Sequence, residues 1–345
     1  MALPAATPRA VPQPTGVAWP TRHWPTGPAP EGLGALVDRA FEDPSLAETY
    51  AVVVVQGGRL VAERYGGALP SFTHAPTPVT PDTPLLGWSM AKSVLHAVVG
   101  LLVADGRLST DQPIDAPEWG PGDPRRAITV AHCLQMRDGL AWVEDYVDEE
   151  VSDTIKMLYG EGAADMAHYA ATRPLEAAPG TRFRYSSGTS NLLARAACDL
   201  VGRGAATEAF LRERLFAPIG MDDARIGLDA SGVFVGSSFV HATARSWARF
   251  ATLYLRGGTW DGTEVLRGAW VDGAQVATGA DELGARYSQH FWLDASGTYW
   301  ASGYRGQRAL IVPGKDAVVV RLGDTPEDRY DALAAWVGEL VASLP

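Results

Sequence analysis

A serine and a lysine stand three residues apart at the front of an apolar segment. "GWSMAKSVLHAVVGLL" (87–102) carries Ser89 and Lys92, and the chain has only two other lysines, Lys156 and Lys315. Residues i and i+3 share a helix face, so the Ser89 hydroxyl can meet the Lys92 ammonium one turn later. Burial disfavours the charged lysine and lowers its pKa, and a neutral amine can accept the serine proton. The spacing therefore predicts a serine nucleophile activated by a lysine.

The same two residues also fit a structural interpretation. Ser89 could cap a helix, and Lys92 could extend its ammonium to the surface. The segment up to Ala104 is apolar nearly all round, however, and offers the lysine no polar face. Such a helix is expected to be central to the fold. Together with the scarcity of lysine, this favours the catalytic interpretation.

A second serine motif overlaps the first. "GWSMA" (87–91) comes close to the G-x-S-x-G nucleophile elbow, with Ala91 in place of the last glycine. An elbow follows a strand of a parallel sheet and requires an acid and a histidine downstream. His241 and His290 are the downstream histidines, but the sequence shows no alternation of strands and helices that would build a parallel sheet. We therefore favour serine–lysine chemistry over a Ser-His-Asp triad.

Composition excludes several classes of partner. The 345 residues are 46% hydrophobic and 20% charged, which is typical of a globular chain. The net charge of −11 argues against nucleic acid and anionic membranes as partners. No apolar run is long enough to span a bilayer. Cys133 and Cys198 fit neither a disulfide framework nor a metal motif, so we expect both to be small core residues.

The order of predicted elements indicates an α+β fold. "YAVVVVQGGRLVAERYGG" (50–67) is typical of a β-hairpin, and residues 288–324 predict at least three more strands. Helical spacing fills the region between them, in "TVAHCLQMRDGL", "NLLARAACDLVG", "TEAFLRERLF" and "TARSWARFATLYLRGG", and returns in "EDRYDALAAWVGELVASL" at the end. We expect one antiparallel sheet built from the N- and C-terminal segments and flanked by helices, with a mainly helical middle lobe.

The domain organisation follows from the same pattern. Residues 1–30 are rich in proline and predict an extended arm that packs partly on the body through Trp19 and Trp24. Residues 31–345 predict a single domain, with its helical lobe at roughly 105–240. The first thirty residues contain no continuous apolar segment of the kind that directs secretion, so the expected location is the cytoplasm.

Two further motifs complete a set of three. "TRFRYSSGTSNLL" (181–193) predicts a short strand that leads to Tyr185 and Ser187, then a helix capped by Thr189 or Ser190. "ASGYRGQ" (301–307) lies between two predicted strands. With the serine–lysine pair, these stretches resemble, in the same order, the three motifs of the serine β-lactamase and penicillin-binding-protein superfamily. The resemblance implies a β-lactamase/transpeptidase-like fold.

One branch of that superfamily matches better than the others. "MRDGLAWVEDYVDEEVSD" (136–153), "YSSGTSN" and "GYRGQ" resemble the 6-aminohexanoate-oligomer (nylon-oligomer) hydrolases, and the resemblance covers about residues 31–345. It implies an acyl-enzyme mechanism in which Ser89 attacks a carbonyl and Lys92 takes or relays its proton. Tyr185 would pass a proton to the leaving group, and the backbone N–H groups of Ser89 and Tyr304 would hold the oxyanion. The mechanism that the resemblance implies needs no metal and no cofactor.

The resemblance also implies residues that contact the substrate. Ala301 stands where penicillin-recognising members carry a cation, which disfavours β-lactams as substrates. The expected substrate-binding residues are Tyr146, Ser187, Trp88, Gly303 and Arg305. Ser187 would orient Lys92 or the substrate, and Arg305 could supply a guanidinium.

The acidic stretch "VEDYVDEEVSD" (143–153) has two interpretations. It is either a solvated loop, or a lid whose carboxylates at Glu144, Asp145 and Asp148 attract a substrate ammonium while Tyr146 contacts the scissile amide.

The sequence thus predicts a serine hydrolase, monomeric or homodimeric, that cleaves linear amides of the 6-aminohexanoate-oligomer type and small esters. The partner is a small-molecule amide or ester that can carry a free ammonium. Two enzymatic alternatives use the same fold, a carboxylesterase and a peptidase acting on D-residues. The non-enzymatic alternative is a binding protein that kept the fold and lost turnover.

Overall fold

The computed structural model describes residues 10–70, 73 and 75–345. Within these residues the α-helices are α1 (Leu33–Glu42), α2 (Ala91–Ala104), α3 (Val130–Leu134), α4 (Asp153–Tyr159), α5 (Met166–Ala171), α6 (Ser187–Val201), α7 (Ala205–Leu211), α8 (Ala244–Leu255), α9 (Gly268–Gly273) and α10 (Tyr330–Ser343). The strands are β1 (Glu48–Gln56), β2 (Arg59–Tyr65), β3 (Ala68–Leu69), β4 (Thr77–Pro78), β5 (Leu85–Leu86), β6 (Arg225–Ile226), β7 (Val240–Ala242), β8 (Thr259–Trp260), β9 (Thr263–Glu264), β10 (Gly279–Ala280), β11 (Arg286–Tyr287), β12 (Trp292–Leu293), β13 (Tyr299–Gly303), β14 (Gln307–Val312) and β15 (Ala317–Asp324).

The main sheet joins the two ends of the chain. Within the described residues its eight strands follow the order β10-β11-β12-β13-β14-β15-β1-β2, and each neighbouring pair is antiparallel. Val53 of β1 lies opposite Val320 of β15, which confirms the predicted sheet of N- and C-terminal segments. The hairpin between β1 and β2 turns at Gly57 and Gly58, both with positive φ, as a tight turn of the right twist requires.

Alternation along β1 gives the sheet two buried faces. Val53 and Val55 point into the larger core, which is shared with α2, α6 and α8. Val52 and Val54 point to the opposite face, where α1 and α10 cover the sheet. The segment that carries Ser89 and Lys92 therefore lies on the larger-core side, with the helical region beside it.

Several element boundaries differ from the sequence predictions. α2 begins at Ala91, and Ser89 lies just before it in a 3₁₀ turn, Trp88–Met90. α6 is capped by Ser186, whose Oγ accepts the N–H of Thr189, so the expected cap at Thr189 or Ser190 was wrong. The cause is local: three neighbouring hydroxyl residues can each cap a helix, and only the backbone geometry selects one of them.

The proline-rich segment packs on the body from residue 10 onward. Val11 N–H donates to the carbonyl of Leu255 at 2.9 Å, and the Trp19 and Trp260 rings are 5.1 Å apart. The division into an arm and one domain stays a prediction. Among the described residues, no helix has the length and apolarity that a bilayer crossing requires.

Candidate active site

Ser89 is held at the entrance to the central helix by a strained turn. Trp88, directly before it, has φ of 48°, in the left-handed region that non-glycine residues rarely adopt. Backbone strain of this kind concentrates at functional sites. One turn later, Lys92 is only 1% exposed, and its Nζ lies 3.0 Å from Ser89 Oγ. The structure thus brings together the two residues that the sequence singled out.

The remaining contacts of Lys92 determine how its amine is oriented toward Ser89. Its Nζ donates to Ser187 Oγ at 3.1 Å and to the carbonyl oxygen of Ser237 at 3.0 Å. Burial lowers the pKa of Lys92 to about 8, against the opposing charge of Glu144. In the neutral amine, those two acceptors take the two N–H bonds and leave the lone pair facing Ser89. The geometry therefore suits a lysine that accepts the serine proton.

Five hydrogen-bond donors of the protein hold the Glu144 carboxylate in place. Its Oε1 accepts from Ser187 Oγ at 2.6 Å and from Tyr146 OH at 2.8 Å. Its Oε2 accepts from the indole N–H of Trp142, from Thr154 Oγ1 and from the main-chain N–H of Ser187. These contacts occupy the carboxylate, so Glu144 orients the site and is not free to hold a substrate ammonium. The sequence pointed to this residue but not to this role.

The carboxylates of Asp145 and Asp148 accept hydrogen bonds from main-chain N–H groups of their own loop. Asp145 Oδ1 accepts the main-chain N–H groups of Val147 and Asp148, and Asp148 Oδ1 accepts that of Glu150. Such Asx turns are typical of solvated loops. The geometry therefore favours the solvated-loop interpretation for Asp145 and Asp148.

Tyr185 lies between the lysine and the open cavity. Lys92 Nζ sits 4.8 Å from the centre of its ring, and the Trp292 ring packs 5.5 Å away on the cavity side. Burial raises the pKa of Tyr185 well above its usual value; the charge of Glu144 adds to this shift, and a hydrogen bond with Ser89 opposes it. Tyr185 is therefore a protonated phenol beside Ser89.

The third motif, "ASGYRGQ", approaches the turn before Ser89 through two glycines, Gly303 and Gly87. A Cβ on Gly303 would lie 2.1 Å from the carbonyl oxygen of Gly87, so only glycine allows this backbone contact. Tyr304 follows Gly303, and its ring packs on that of Tyr146 at 4.7 Å. A cavity of about 350 Å³ opens here, lined among others by Ser89, Tyr146, Tyr185, Gly303, Tyr304 and Arg308.

Two expected substrate contacts are placed elsewhere. Trp88 and Arg305 line a neighbouring cavity of about 390 Å³, which Tyr304 separates from the Ser89 cavity. Arg305 Nε forms an ion pair with Asp324 at 3.2 Å. Arg305 has a φ of 62°, in the left-handed region of the backbone. Their predicted role in substrate binding stays a prediction, now attached to this neighbouring cavity.

Arg308 is the cation that the sequence analysis missed. It lies on β14 directly opposite Ser302 of β13, and its Nη1 donates to Ser302 Oγ at 2.5 Å. Both residues line the Ser89 cavity. The sequence "ASGYRGQR" contained a signal for this contact. The tight turn after Gly303 forms a hairpin, and the hairpin pairs Ser302 with Arg308.

The histidines do not form a triad with Ser89. His290 Nδ1 donates to the main-chain carbonyl of Lys92 at 2.9 Å, and burial lowers the pKa of His290 to about 3. His241 lies on β7, opposite Leu86 of the antiparallel strand β5. The strand before Ser89 is thus not part of a parallel sheet. Within the described residues, no group of acidic, histidine and cysteine side chains could hold a metal ion.

Comparisons with known proteins agree with the geometry. The family model described as Beta-lactamase matches residues 37–343. The 6-aminohexanoate-dimer hydrolase of Paenarthrobacter ureafaciens is 27% identical over 301 residues, covering 81% of this chain and 73% of that protein.

Solved structures share the fold at lower identity. A Bacillus anthracis protein provisionally described as a 6-aminohexanoate-dimer hydrolase superposes with a TM-score of 0.76 at 21% identity, covering 97% of this chain and 91% of that one. A family VIII carboxylesterase superposes with a TM-score of 0.66 at 17% identity, covering 91% of this chain and 99% of that one. These likenesses confirm the predicted architecture.

Proposed function

Because the chain belongs to the beta-lactamase family, we propose that it is a serine hydrolase that cleaves linear amides, and small esters, through an acyl-enzyme on Ser89. The fold is β-lactamase/transpeptidase-like. The observation that carries the proposal is the distance of 3.0 Å between Ser89 Oγ and the Nζ of the buried Lys92. A buried lysine of lowered pKa beside a serine is the arrangement that activates a hydroxyl nucleophile.

Acylation begins with proton transfer from Ser89 to Lys92. The carbonyl of Ser237 and the hydroxyl of Ser187 hold the two N–H bonds of the neutral amine, so its lone pair is directed at Ser89 Oγ. Serine attack forms a tetrahedral intermediate with a developing oxyanion. We assign the main-chain N–H groups of Ser89 and Tyr304 to this oxyanion, because both residues line the same cavity.

Collapse of the intermediate requires a proton on the leaving group. Tyr185 is a protonated phenol that contacts both Ser89 and Lys92, so it passes its proton to the leaving amine or alcohol and is reprotonated through Lys92. Water then attacks the acyl-enzyme, and the same groups act in reverse. Tyr146 lines the cavity at the scissile bond and Ser187 holds Lys92, and each donates a hydrogen bond to Glu144.

The substrate class follows from the third motif and from the relatives. At the position of the third motif where penicillin-recognising members carry a cation, this chain has Ala301. Its side chain is 1% exposed and packs in the larger core. The relative at 27% identity is a 6-aminohexanoate-dimer hydrolase. We therefore propose linear amides of the 6-aminohexanoate type and expect little turnover of β-lactams. A cytoplasmic location and a monomeric or homodimeric state remain predictions from the sequence.

A fluorophosphonate probe tests the proposal directly. We expect one adduct, located at Ser89 by peptide mass spectrometry, and its loss in Lys92→Ala. Lys156→Ala is the matched control, since Lys156 lies on α4 and donates to the Glu150 carbonyl. Failure to label Ser89 at neutral or mildly alkaline pH would favour the binding-protein alternative. Hydrolysis of a 6-aminohexanoate dimer, p-nitrophenyl esters, D-residue peptides and nitrocefin then separates amidase, esterase, peptidase and β-lactamase activity.

A further inference from the structure

Tyr304 forms the wall between two cavities. The Ser89 cavity has a volume of about 350 Å³, and the second cavity, which Trp88 and Arg305 line, has a volume of about 390 Å³. Among the described residues, Tyr304 alone lines both of them. Its side chain therefore determines whether the two spaces are separate or continuous.

Aromatic contacts on both sides hold the Tyr304 ring in this position. Trp88, which lines the second cavity and not the first, meets the ring edge-on with centroids 5.8 Å apart. Tyr146, which lines the Ser89 cavity and not the second, packs on the ring at 4.7 Å. The Tyr146 hydroxyl is itself held, because it donates to Glu144 Oε1 at 2.8 Å. The three rings thus form a partition with Tyr304 at its centre, and such aromatic pairs favour a defined geometry.

The second cavity has an apolar wall behind this partition. Several apolar side chains line it: Leu69, Leu85, Leu86 and Trp88. Its charged members, Arg305 and Asp324, are paired with each other at 3.2 Å, and their side chains are 39% and 48% exposed. Because this ion pair is already formed and reaches solvent, the leucine wall is the surface left for a ligand. Such a wall suits a chain of methylene groups, whose burial is favourable.

The second cavity also lies away from the expected position of the leaving group. Tyr185, the proposed proton donor to the leaving group, does not line it, and neither do the two rings that pack on Tyr185. Trp88 and Tyr304 instead adjoin the proposed oxyanion donors, since Trp88 directly precedes Ser89 and Tyr304 carries the second N–H group. An acyl chain that extends from the carbonyl carbon past these donors therefore meets the Tyr304 ring.

We propose that the Tyr304 side chain sets the length of acyl group that the enzyme accepts, by closing the Ser89 cavity off from the second cavity. This inference rests on the proposed function and narrows the acyl half of the substrate to chains of the length of 6-aminohexanoyl or shorter. The main-chain N–H of Tyr304 and its side chain then have different roles, one toward the oxyanion and one toward the acyl chain.

A series of p-nitrophenyl esters tests the proposal, because the leaving group stays constant while the acyl chain grows from butyrate through hexanoate and octanoate to decanoate. In the unmodified protein we expect kcat/KM to fall from hexanoate to decanoate. In Tyr304→Ala the ratio of kcat/KM for decanoate to that for butyrate should rise by about 10- to 100-fold, since several methylenes enter the second cavity. Because the ratio is taken within one variant, a change at the Tyr304 N–H affects both esters and cancels.

Three further variants identify the cause. Tyr304→Phe keeps the ring and should keep the ratio of the unmodified protein. Leu69→Trp in the Tyr304→Ala background refills the second cavity from its own wall and should remove the gain. Tyr304→Leu opens the partition with a smaller loss of packing, so it provides the same test if Tyr304→Ala does not fold.

Three results would overturn the proposal. The first is equal kcat/KM for butyrate and decanoate in the unmodified protein, a measurement that needs no variant. The second is an unchanged ratio in folded Tyr304→Ala or Tyr304→Leu. The third is a gain that survives Leu69→Trp, because the longer chain would then lie outside the second cavity.

Binding without turnover separates this inference from the proposed function. N-methylbutanamide and N-methyloctanamide are the ligands, measured by isothermal titration calorimetry on Ser89→Ala protein with and without Tyr304→Ala. Fluorophosphonate labelling of Ser89 with an unchanged chain-length preference would keep the hydrolase and remove the partition. Absence of labelling, with a gain in octanamide binding that Tyr304→Ala creates and Leu69→Trp removes, would remove the hydrolase and keep the partition.

Discussion

The hydroxyl of Ser187 donates to Glu144 Oε1 at 2.6 Å, and this contact links an acidic loop to Lys92. Ser187 Oγ in turn accepts a hydrogen bond from Lys92 Nζ at 3.1 Å. The carboxylate, hydroxyl and amine form one chain, 1% exposed at Ser187 and at Lys92. Glu144 therefore acts on Lys92 through both orientation and charge, and the charge raises the pKa that burial lowers.

The first prediction concerns the pH dependence of the unmodified enzyme. Only neutral Lys92 can accept the serine proton, and its pKa is about 8. kcat/KM should therefore rise with pH and level off above an apparent pKa near that value, since this parameter reports groups of the free enzyme. Initial rates on an uncharged amide between pH 6 and pH 10 measure it. A profile that is flat across this range would contradict a proton-accepting lysine.

Glu144→Gln should shift that profile in a defined direction. The negative charge of Glu144 raises the pKa of Lys92, so its removal lowers the pKa further, and the rising limb moves to lower pH. The limiting rate should fall as well, because the amide group of glutamine would face donors at Trp142 or Ser187. Glu150→Gln, in the exposed part of the loop, is the control and should leave the profile unchanged. A limb that stays fixed or moves to higher pH would contradict the electrostatic role.

The sequence was sufficient for the parts of the site that depend on local spacing. Ser89 and Lys92 meet because three residues make about one helical turn, and that relation survives even though Ser89 lies in a 3₁₀ turn before the helix. The β1–β2 hairpin was equally local, since Gly57 and Gly58 are the residues that its turn requires.

The missed features depend on contacts between distant parts of the chain. The acceptor that Ser237 provides to Lys92 is its main-chain carbonyl. Because every residue type has such a carbonyl, the identity of residue 237 does not predict this contact. Arg305 and Arg308 look alike in "GYRGQR", but Arg308 pairs with Ser302 and lines the Ser89 cavity, whereas Arg305 lines the neighbouring one. Both placements depend on how the hairpin of β13 and β14 pairs, and composition does not show that pairing.

Tyr185→Phe should discriminate between leaving groups. An amine leaves only after protonation, whereas p-nitrophenolate leaves without a proton. We therefore expect amide turnover to fall by about 10²–10⁴-fold, the usual contribution of a positioned acid, and p-nitrophenyl ester turnover to fall much less. Tyr287→Phe is the control, because the Tyr287 ring also packs against Trp292 but Tyr287 is not proposed to transfer a proton. Equal losses on both substrates would show that Tyr185 acts through packing rather than through its proton.

Gly303→Ala tests the close contact between the third motif and the nucleophile turn. The new Cβ would meet the Gly87 carbonyl oxygen at 2.1 Å, a backbone atom that has no rotamer to change. β13 must therefore move away from Ser89, and the N–H of Tyr304 moves with it. Displacement of one oxyanion donor should lower kcat by about 10²–10³-fold, and the overpacking should lower the free energy of unfolding by about 1–3 kcal/mol.

Gly314→Ala gives the matched comparison for this substitution. Gly314 lies in the turn between β14 and β15, and a Cβ there would have no neighbour within 4 Å among the atoms of the structure. Its kcat and its thermal unfolding should stay close to those of the unmodified protein. Ester hydrolysis and calorimetric unfolding measure both quantities on both variants. If Gly303→Ala kept full kcat while losing stability, the oxyanion role of Tyr304 would be contradicted, because the contact would then support the fold without positioning the reaction.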